Sequence, residues 1–266
     1  MALWHLTVAS DGRLPLLPDE RSVRAAVRLL AREAGDRMAL FCAVDSHVHA
    51  VVLAEPAEAS WLGRALTLGL RALAGTPTEP ARRRPVEHRG HAESLLRYLL
   101  TQVGHHGLPV HPALWSGSCF QELAGARAVA GLQLRLREVL PRVRPDDIKE
   151  IVGLPARPVE PVADAAVRAA GAARLVAAAG AAVAADPALA SRETIVVAAR
   201  RAVVDVGLTA GLAVTDVAWA LRVTRRAVER LRTRSPADAV LSRALRMRLA
   251  LEDLVLAGVT PRARIG

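Results

Sequence analysis

A chain of 266 residues is long enough to bury a sizeable core and to form two domains. With 52% hydrophobic and only 3% aromatic residues it reads as globular rather than disordered, its core filled mainly by Ala, Leu and Val. A net charge of +10 and a pI near 11.2 point to a polyanionic partner, nucleic acid first and an anionic membrane surface second.

Leu3 to Val8 is a short strand-like run, and Ser10 to Pro18, with Asp-Gly and two prolines, is a turn region. From about Glu20 to Ala34 the apolar residues Val23, Val27, Leu30 and Ala34 recur at helical spacing. Met38 to Val44 and Val48 to Leu53 read as two strands of a hairpin, with Asp45-Ser46 supplying the turn. Trp61 to Leu73 is predicted helical. Ala74 to Gly90 holds three prolines and the run Arg82-Arg83-Arg84, which reads as an exposed basic loop with a weak strand near Pro85 to His88. Ala92 to Val103 is a helix ended by Gly104 and Gly107. An irregular part and a further helix to about Leu140 follow. Prolines 141, 145, 155, 158 and 161 mark a linker, beyond which the chain reads helical to about Leu256. The expected domains are therefore 1–140, a linker over 141–162, and a helical unit over 163–266.

Lys149 is the only lysine among 36 basic residues, a skew that partly reflects a GC-rich genome. Cys42 and Cys119 lie far apart without metal-type spacing and fit reduced thiols in a cytosolic protein. No run of roughly 18 apolar residues marks a membrane span. The N-terminal MALWHLTVAS lacks a basic segment followed by an apolar one, so no signal peptide is expected.

Three features carry chemistry. His47 and His49 are two apart in a strand, so both imidazoles project from one face and can converge on a metal. In isolation, two histidines at a strand start with no ligand role is the plainer reading of the pair. Tyr98, the sole tyrosine, and Gln102 are one helical turn apart, so they project together; the amide oxygen of Gln102 is a hard ligand for a divalent ion. An amphipathic tyrosine packing its ring with its hydroxyl in water is the plainer reading of Tyr98. Val214 to Arg234 has the spacing of a helix-turn-helix, with Val217, Ala218 and Leu221 on a first helix and Val228 and Leu231 on the buried face of a second. Thr224 starts that second helix, and Arg225, Arg226 and Arg230 lie on it, suited to phosphate and guanine. Arg222 stands where many such motifs place glycine, and an ordinary helical hairpin with a basic face is the alternative.

Together these residues resemble the REP-associated branch of the single-tyrosine HUH transposases, over roughly Leu3 to Gly125. That family has a His-hydrophobic-His strand and, about fifty residues later, a helix with Tyr followed four positions on by Asn or Gln; the interval here is 98 − 49 = 49 residues. Val44-Asp45-Ser46-His47 stands where the family tends to show Met-Pro-Asn-His. Of the family's Asn-Pro-Val-Arg-Ala-Gly-Leu run only Gly107-Leu108 survives in Gln102-Val103-Gly104-His105-His106-Gly107-Leu108. Leu114-Trp115-Ser116-Gly117-Ser118 is similar to a family Trp-Ser-Ser stretch, and His5 matches a histidine on the first strand.

The resemblance implies an α+β protein: a ferredoxin-like antiparallel sheet with packed helices, followed by an all-α helix-turn-helix domain. It implies Mg²⁺ or Mn²⁺ held by His47, His49 and Gln102, and cleavage and rejoining of single-stranded or hairpin DNA through a 5′-phosphotyrosine link at Tyr98. A free tyrosine, with a pKa of about 10, must be activated to attack; the metal or Arg97 could favour phenolate. Arg82, Arg83 and Arg84 would grip the backbone, and the helix-turn-helix would take duplex. No membrane partner is expected. The setting is a bacterial cytoplasm at the nucleoid, and family members include monomers and homodimers. His88, His91, His105, His106 and His111 read as polar loop residues. Two alternatives stand beside this reading: a sequence-specific regulator that lost cleavage, and an unrelated metal hydrolase using the two histidines.

Overall fold

The structure is a computed structural model that describes residues 1–12, 14–234 and 236–258; the end of the expected helical unit, 259–266, lies outside the described residues. The chain opens with β1 (Ala2–Ala9), α1 (Glu20–Ala34), β2 (Met38–Ala43), β3 (His47–Ala54), α2 (Pro56–Ala74) and β4 (Arg82–Pro85). The sheet order is β2-β3-β1-β4 with every neighbour antiparallel, the ferredoxin-like arrangement of a β-α-β-β-α-β unit.

Local chemistry sets the helix ends. Asp19 and Ser22 form a capping box at the start of α1, and Pro56 begins α2, where a missing N–H costs nothing. Gly75 closes α2 at φ 64°, a left-handed conformation that suits glycine. α1 buries Val23, Val27, Leu30 and Ala34, the stripe its spacing predicts.

The two faces of the sheet follow from strand alternation. Leu6 and Val8 lie opposite Ala50 and Val48, and this face is buried under α1 and α2. His5 and Thr7 lie opposite Val51 and His49 on the other face. That second face is covered by α3 (Arg89–His105), which buries Leu95, Leu99 and Val103. α3 is longer than its spacing suggests, running three residues before Ala92 and past Gly104.

The run Arg82-Arg83-Arg84 is an exposed edge strand and not a loop, because it hydrogen-bonds to β1. The helix expected up to Leu140 is likewise broken. Two short helices, α4 (Phe120–Leu123) and α5 (Leu136–Val139), stand in its place, with glycines of positive φ at Gly125 and Gly131 between them. The proline-rich segment 141–162 carries α6 (Pro145–Ile151) and lays Ile148, Val152 and Leu154 into the first core. The sole lysine, Lys149, is buried there, its ammonium paired with Asp146 at 2.7 Å and donating to the Arg157 carbonyl.

A second core is all helical: α7 (Asp164–Ala182), α8 (Thr194–Thr209), α9 (Val214–Ala220), α10 (Arg225–Arg234) and α11 (Ala239–Gly258). α7 is apolar and long enough to cross a bilayer by length and composition alone, but Val167, Leu175 and Val176 belong to this core. α11 joins the two units. Leu241, Leu245 and Leu249 enter the helical core, and Met247, Leu251 and Val255 enter the first. Arg24 and Arg28 of α1 donate to the carbonyls of Ala185 and Ala184, just past the C-terminus of α7.

The stretch Trp115-Ser116-Gly117-Ser118 braces the end of β2. Trp115 Nε1 donates to the Ala43 carbonyl at 2.8 Å, and Ala43 N donates to the Gly117 carbonyl at 2.9 Å. A Cβ on Gly117 would lie 2.0 Å from the Ala43 oxygen. We expect Gly117→Ala to cost about 3 kcal/mol or more, because backbone must move in a packed site. Urea unfolding checks this, and a loss under about 1 kcal/mol would contradict it.

Candidate metal and tyrosine site

The site forms where β3 leaves its hairpin and the C-terminal half of α3 crosses the sheet. Val44 N donates to the His47 carbonyl at 3.0 Å, closing the Asp45-Ser46 turn. Leu17 N and Ser10 N donate to the Asp45 and Ser46 carbonyls, so the turn is tied to the segment after β1. His47 and His49 thus leave a fixed strand end on one face, with ring centroids 4.5 Å apart.

The second side comes from α3. The Tyr98 ring meets the His49 ring edge-on, with centroids 5.4 Å apart. Tyr98 is 43% exposed, so its ring is held while its outer part stays open to solvent. Gln102 is buried, its Nε2 donates to the Tyr98 carbonyl at 3.4 Å, and its side chain acts on His47, favouring the charged imidazole. The fold thus brings together all four residues that sequence spacing picked out.

It adds others. His5 Nε2 and Thr7 Oγ1 lie 3.0 Å and 3.1 Å from His49 Nδ1. Ser46 Oγ lies 2.9 Å from His47 Nδ1. His106, expected to be a polar loop residue, belongs to this cluster: its ring centroid is 5.1 Å from that of His47, and its Nδ1 lies 3.0 Å from Asp45 Oδ1. A sequence signal for it existed. His106 is one more helical turn beyond Gln102, continuing the Tyr98 stripe.

Of the other histidines, His91 lies near enough for its charge to act on His5, and the rest stand apart. His88 caps α3 by accepting from His91 N, and His111 accepts from Ala113 N at the turn Pro112–Leu114. His105 is exposed.

The basic residues also sort by face. In β4, Arg82 and Arg84 lie opposite Thr7 and His5, on the histidine face. Arg83 lies opposite Leu6, and its side chain runs beside Gly63 of α2. Arg97 is exposed on α3, and after Arg144 it helps hold the Asp147 carboxyl low, so its charge acts toward α6. Arg222 takes the turn between α9 and α10 at φ 53°, the conformation for which glycine is usual. Val228 is buried, while Thr224, Arg225, Arg226 and Arg230 are exposed.

The electrostatics favour the neutral form of His5, His47 and His49. Burial, then the charges of His91 and Arg84, pushes His5 down to about 4. Burial, then His47, His5 and His106, pushes His49 down to about 3. Burial and His106 lower His47, opposed by Asp45 and Gln102. A neutral imidazole has a lone pair to give. The buried Nε2 of His49 has no hydrogen-bond partner, which leaves that lone pair unsatisfied. The donor set therefore fits a divalent cation. Among the described residues, no group of three His, Cys, Asp or Glu side chains could hold a metal ion, so the fit rests on His47, His49 and the Gln102 amide.

These shifts carry a sign. Unfolded imidazoles take up protons near pH 6.5, but His5 and His49 in the fold do so only near 4 and 3. Between those values the unfolded chain binds more protons, so stability is present above pH 6.5 and is lost as pH falls toward 3. In chelator, we expect the melting temperature to drop steadily from pH 7 to pH 4.5, and His5→Gln to shallow that drop. A slope unchanged in the variant would refute the assignment.

No family model matches the chain, and no curated protein matches it. Among solved structures, it is similar to a REP-associated tyrosine transposase bound to a REP hairpin. The likeness covers 46% of this chain and 78% of that one, at 17% identity and a TM-score of 0.38.

Proposed function

We propose that this protein cleaves and rejoins single-stranded DNA with Tyr98 as nucleophile, as in DNA transposition. The observation that carries this reading is the meeting of Tyr98 and Gln102 with His47 and His49, from a helix and a strand 49 residues apart, around an unsatisfied His49 Nε2. His47, His49 and Gln102 would hold Mg²⁺ or Mn²⁺. When bound, the ion supplies Lewis-acid polarisation of the scissile phosphate and charge that favours phenolate.

The chain's own residues do the rest. The His49 edge positions the Tyr98 ring, whose partial exposure admits a strand. The Tyr98 oxygen loses its proton and bonds to phosphorus. The P–O3′ bond breaks, and the leaving oxygen takes a proton to become a 3′-hydroxyl. The 5′-phosphotyrosine retains the energy of the phosphodiester, so the reverse attack rejoins DNA without ATP. Arg82 and Arg84 flank the histidine face and offer charge to the backbone.

In the helical unit, α9 and α10 support a helix-turn-helix reading. The buried Val228 and the exposed Thr224, Arg225, Arg226 and Arg230 have the distribution a recognition helix needs. We expect Arg225→Ala with Arg226→Ala to reduce the salt slope of duplex binding by about 2.

The test is a suicide hairpin oligonucleotide with Mn²⁺, read as a covalent adduct on a denaturing gel. No adduct on any hairpin tried would sink the cleavage reading. Duplex binding that survives Tyr98→Phe but is lost with the two arginines would then favour a regulator.

A further inference from the structure

We infer that Trp219 is a stacking platform for an unpaired nucleobase, so that the helical unit takes DNA where a duplex opens into single strand. This rests on the DNA reading of α9 and α10 above and adds a second ligand class to it.

The first support is the ring itself. Trp219 is 79% exposed, more than any other described tryptophan, tyrosine or phenylalanine. Its neighbours Val217 and Ala218 are buried in the helical core, so the helical repeat turns the indole outward. A large apolar face is thus kept in water, a cost that stacking on a flat partner removes.

The second support is what lies beside the ring. Trp219 lines a groove of about 700 Å³ with Ala173 and Val176 of α7, Pro187, Val223 and Arg222. Small-ligand clefts hold roughly 300–1,000 Å³, so a nucleobase fits here. Among the described residues that line the groove, Arg222 carries the one charge. Its backbone N donates to the Trp219 carbonyl at 3.0 Å, which fixes arginine and ring on one turn. Arg222 holds a φ of 53°, so this position carries a side chain at a backbone cost that glycine would avoid.

The third support is charge. Thr224 also lines the groove, and α10 starts directly after it. Arg225 and Arg226 stand exposed in the first turn of α10, which holds no acidic residue. The helix dipole disfavours cations there, and a phosphate relieves both. A mostly apolar groove beside these cations suits a nucleotide, whose base has apolar faces and whose backbone is anionic. An apolar peptide would leave the arginines unanswered. Bases inside a duplex are already stacked on their neighbours, so only an unpaired one can lie on Trp219.

The test uses the full chain carrying Arg82→Ala and Arg84→Ala, so that the first unit holds single strand less firmly. Fluorescence anisotropy at low salt compares a blunt duplex oligonucleotide with the same duplex carrying a thymidine tail. The tailed probe is expected to bind more tightly. Trp219→Ala should weaken it by about tenfold and change the blunt duplex by less than about twofold, while Trp219→Phe keeps most of the preference. Tryptophan emission gives an independent readout. The tail should quench it, a tail of abasic sites should not, and the quenching should vanish in Trp219→Phe. The ring is exposed, so both variants should keep the parent melting temperature. Equal losses on both probes, or no loss on either, would overturn the inference. If Arg225→Ala with Arg226→Ala abolishes duplex binding while Trp219→Ala changes nothing, the helix-turn-helix reading stands and this inference falls alone. If neither probe binds, the DNA reading of the helical unit fails and the inference falls with it.

Discussion

Phenylalanine at position 98 should abolish the covalent protein–DNA adduct while leaving the protein folded. The ring of Tyr98 packs against the edge of His49, and phenylalanine keeps that ring. What is lost is the oxygen, carried on a side chain that is 43% exposed. Stability should therefore change by no more than about 0.5 kcal/mol, the usual range for surface changes. Cleavage should fall by more than about 10³-fold, as expected when a nucleophile is removed and no second one replaces it. Tyr98 is the only tyrosine in the chain, so no neighbouring phenol can substitute. Adduct formation persisting in Tyr98→Phe would assign the nucleophile elsewhere. Unchanged hydrolysis of small phosphoesters in the same variant would favour an unrelated metal hydrolase.

The second large effect divides the arginine triplet. Strand alternation sends Arg82 and Arg84 to the face that holds His5, Thr7 and His49, and sends Arg83 to the face covered by α2. Arg84 already acts on this face, since its charge helps to depress His5. Arg82 is tied to Glu79 at 2.7 Å, but both side chains are exposed, and such a pair holds an arginine only weakly against a phosphate. We expect Arg82→Ala with Arg84→Ala to weaken single-strand binding by about tenfold at moderate salt. The salt slope should fall by about 1.4, or roughly 0.7 for each lost phosphate contact. Arg83→Ala should leave both nearly unchanged. Fluorescence anisotropy with a hairpin oligonucleotide across a salt series separates the two results. Equal losses from Arg83 and Arg84 would mean that the triplet acts only as diffuse charge.

Much of this arrangement is decided locally, and so is legible in the residues themselves. The same-face placement of His47 and His49 needs only strand alternation, and that of Tyr98 and Gln102 needs only the helical repeat. The stripe Val23, Val27, Leu30 and Ala34 similarly predicts α1 and its buried side. The α9–α10 pair follows from its apolar spacing, and the observed φ of 53° at Arg222 explains why that position is otherwise given to glycine.

Other features depend on pairing partners distant in sequence. Arg82 to Arg84 carry no apolar alternation, and they form a strand only because β1 offers them a free edge. The proline-rich segment 141–162 looks like a tether, yet it packs because Ile148, Val152 and Leu154 find a surface that the first core leaves open. His106 continues the four-residue spacing of Tyr98 and Gln102, but its run departs from the family pattern, so spacing alone does not single it out. Its place beside His47 emerges only when the Asp45 turn is brought against the end of α3. Sequence alone therefore determined which residues share a face, because that depends on backbone periodicity. Only the tertiary structure decided which faces meet, because that depends on burial shared between segments far apart in the chain.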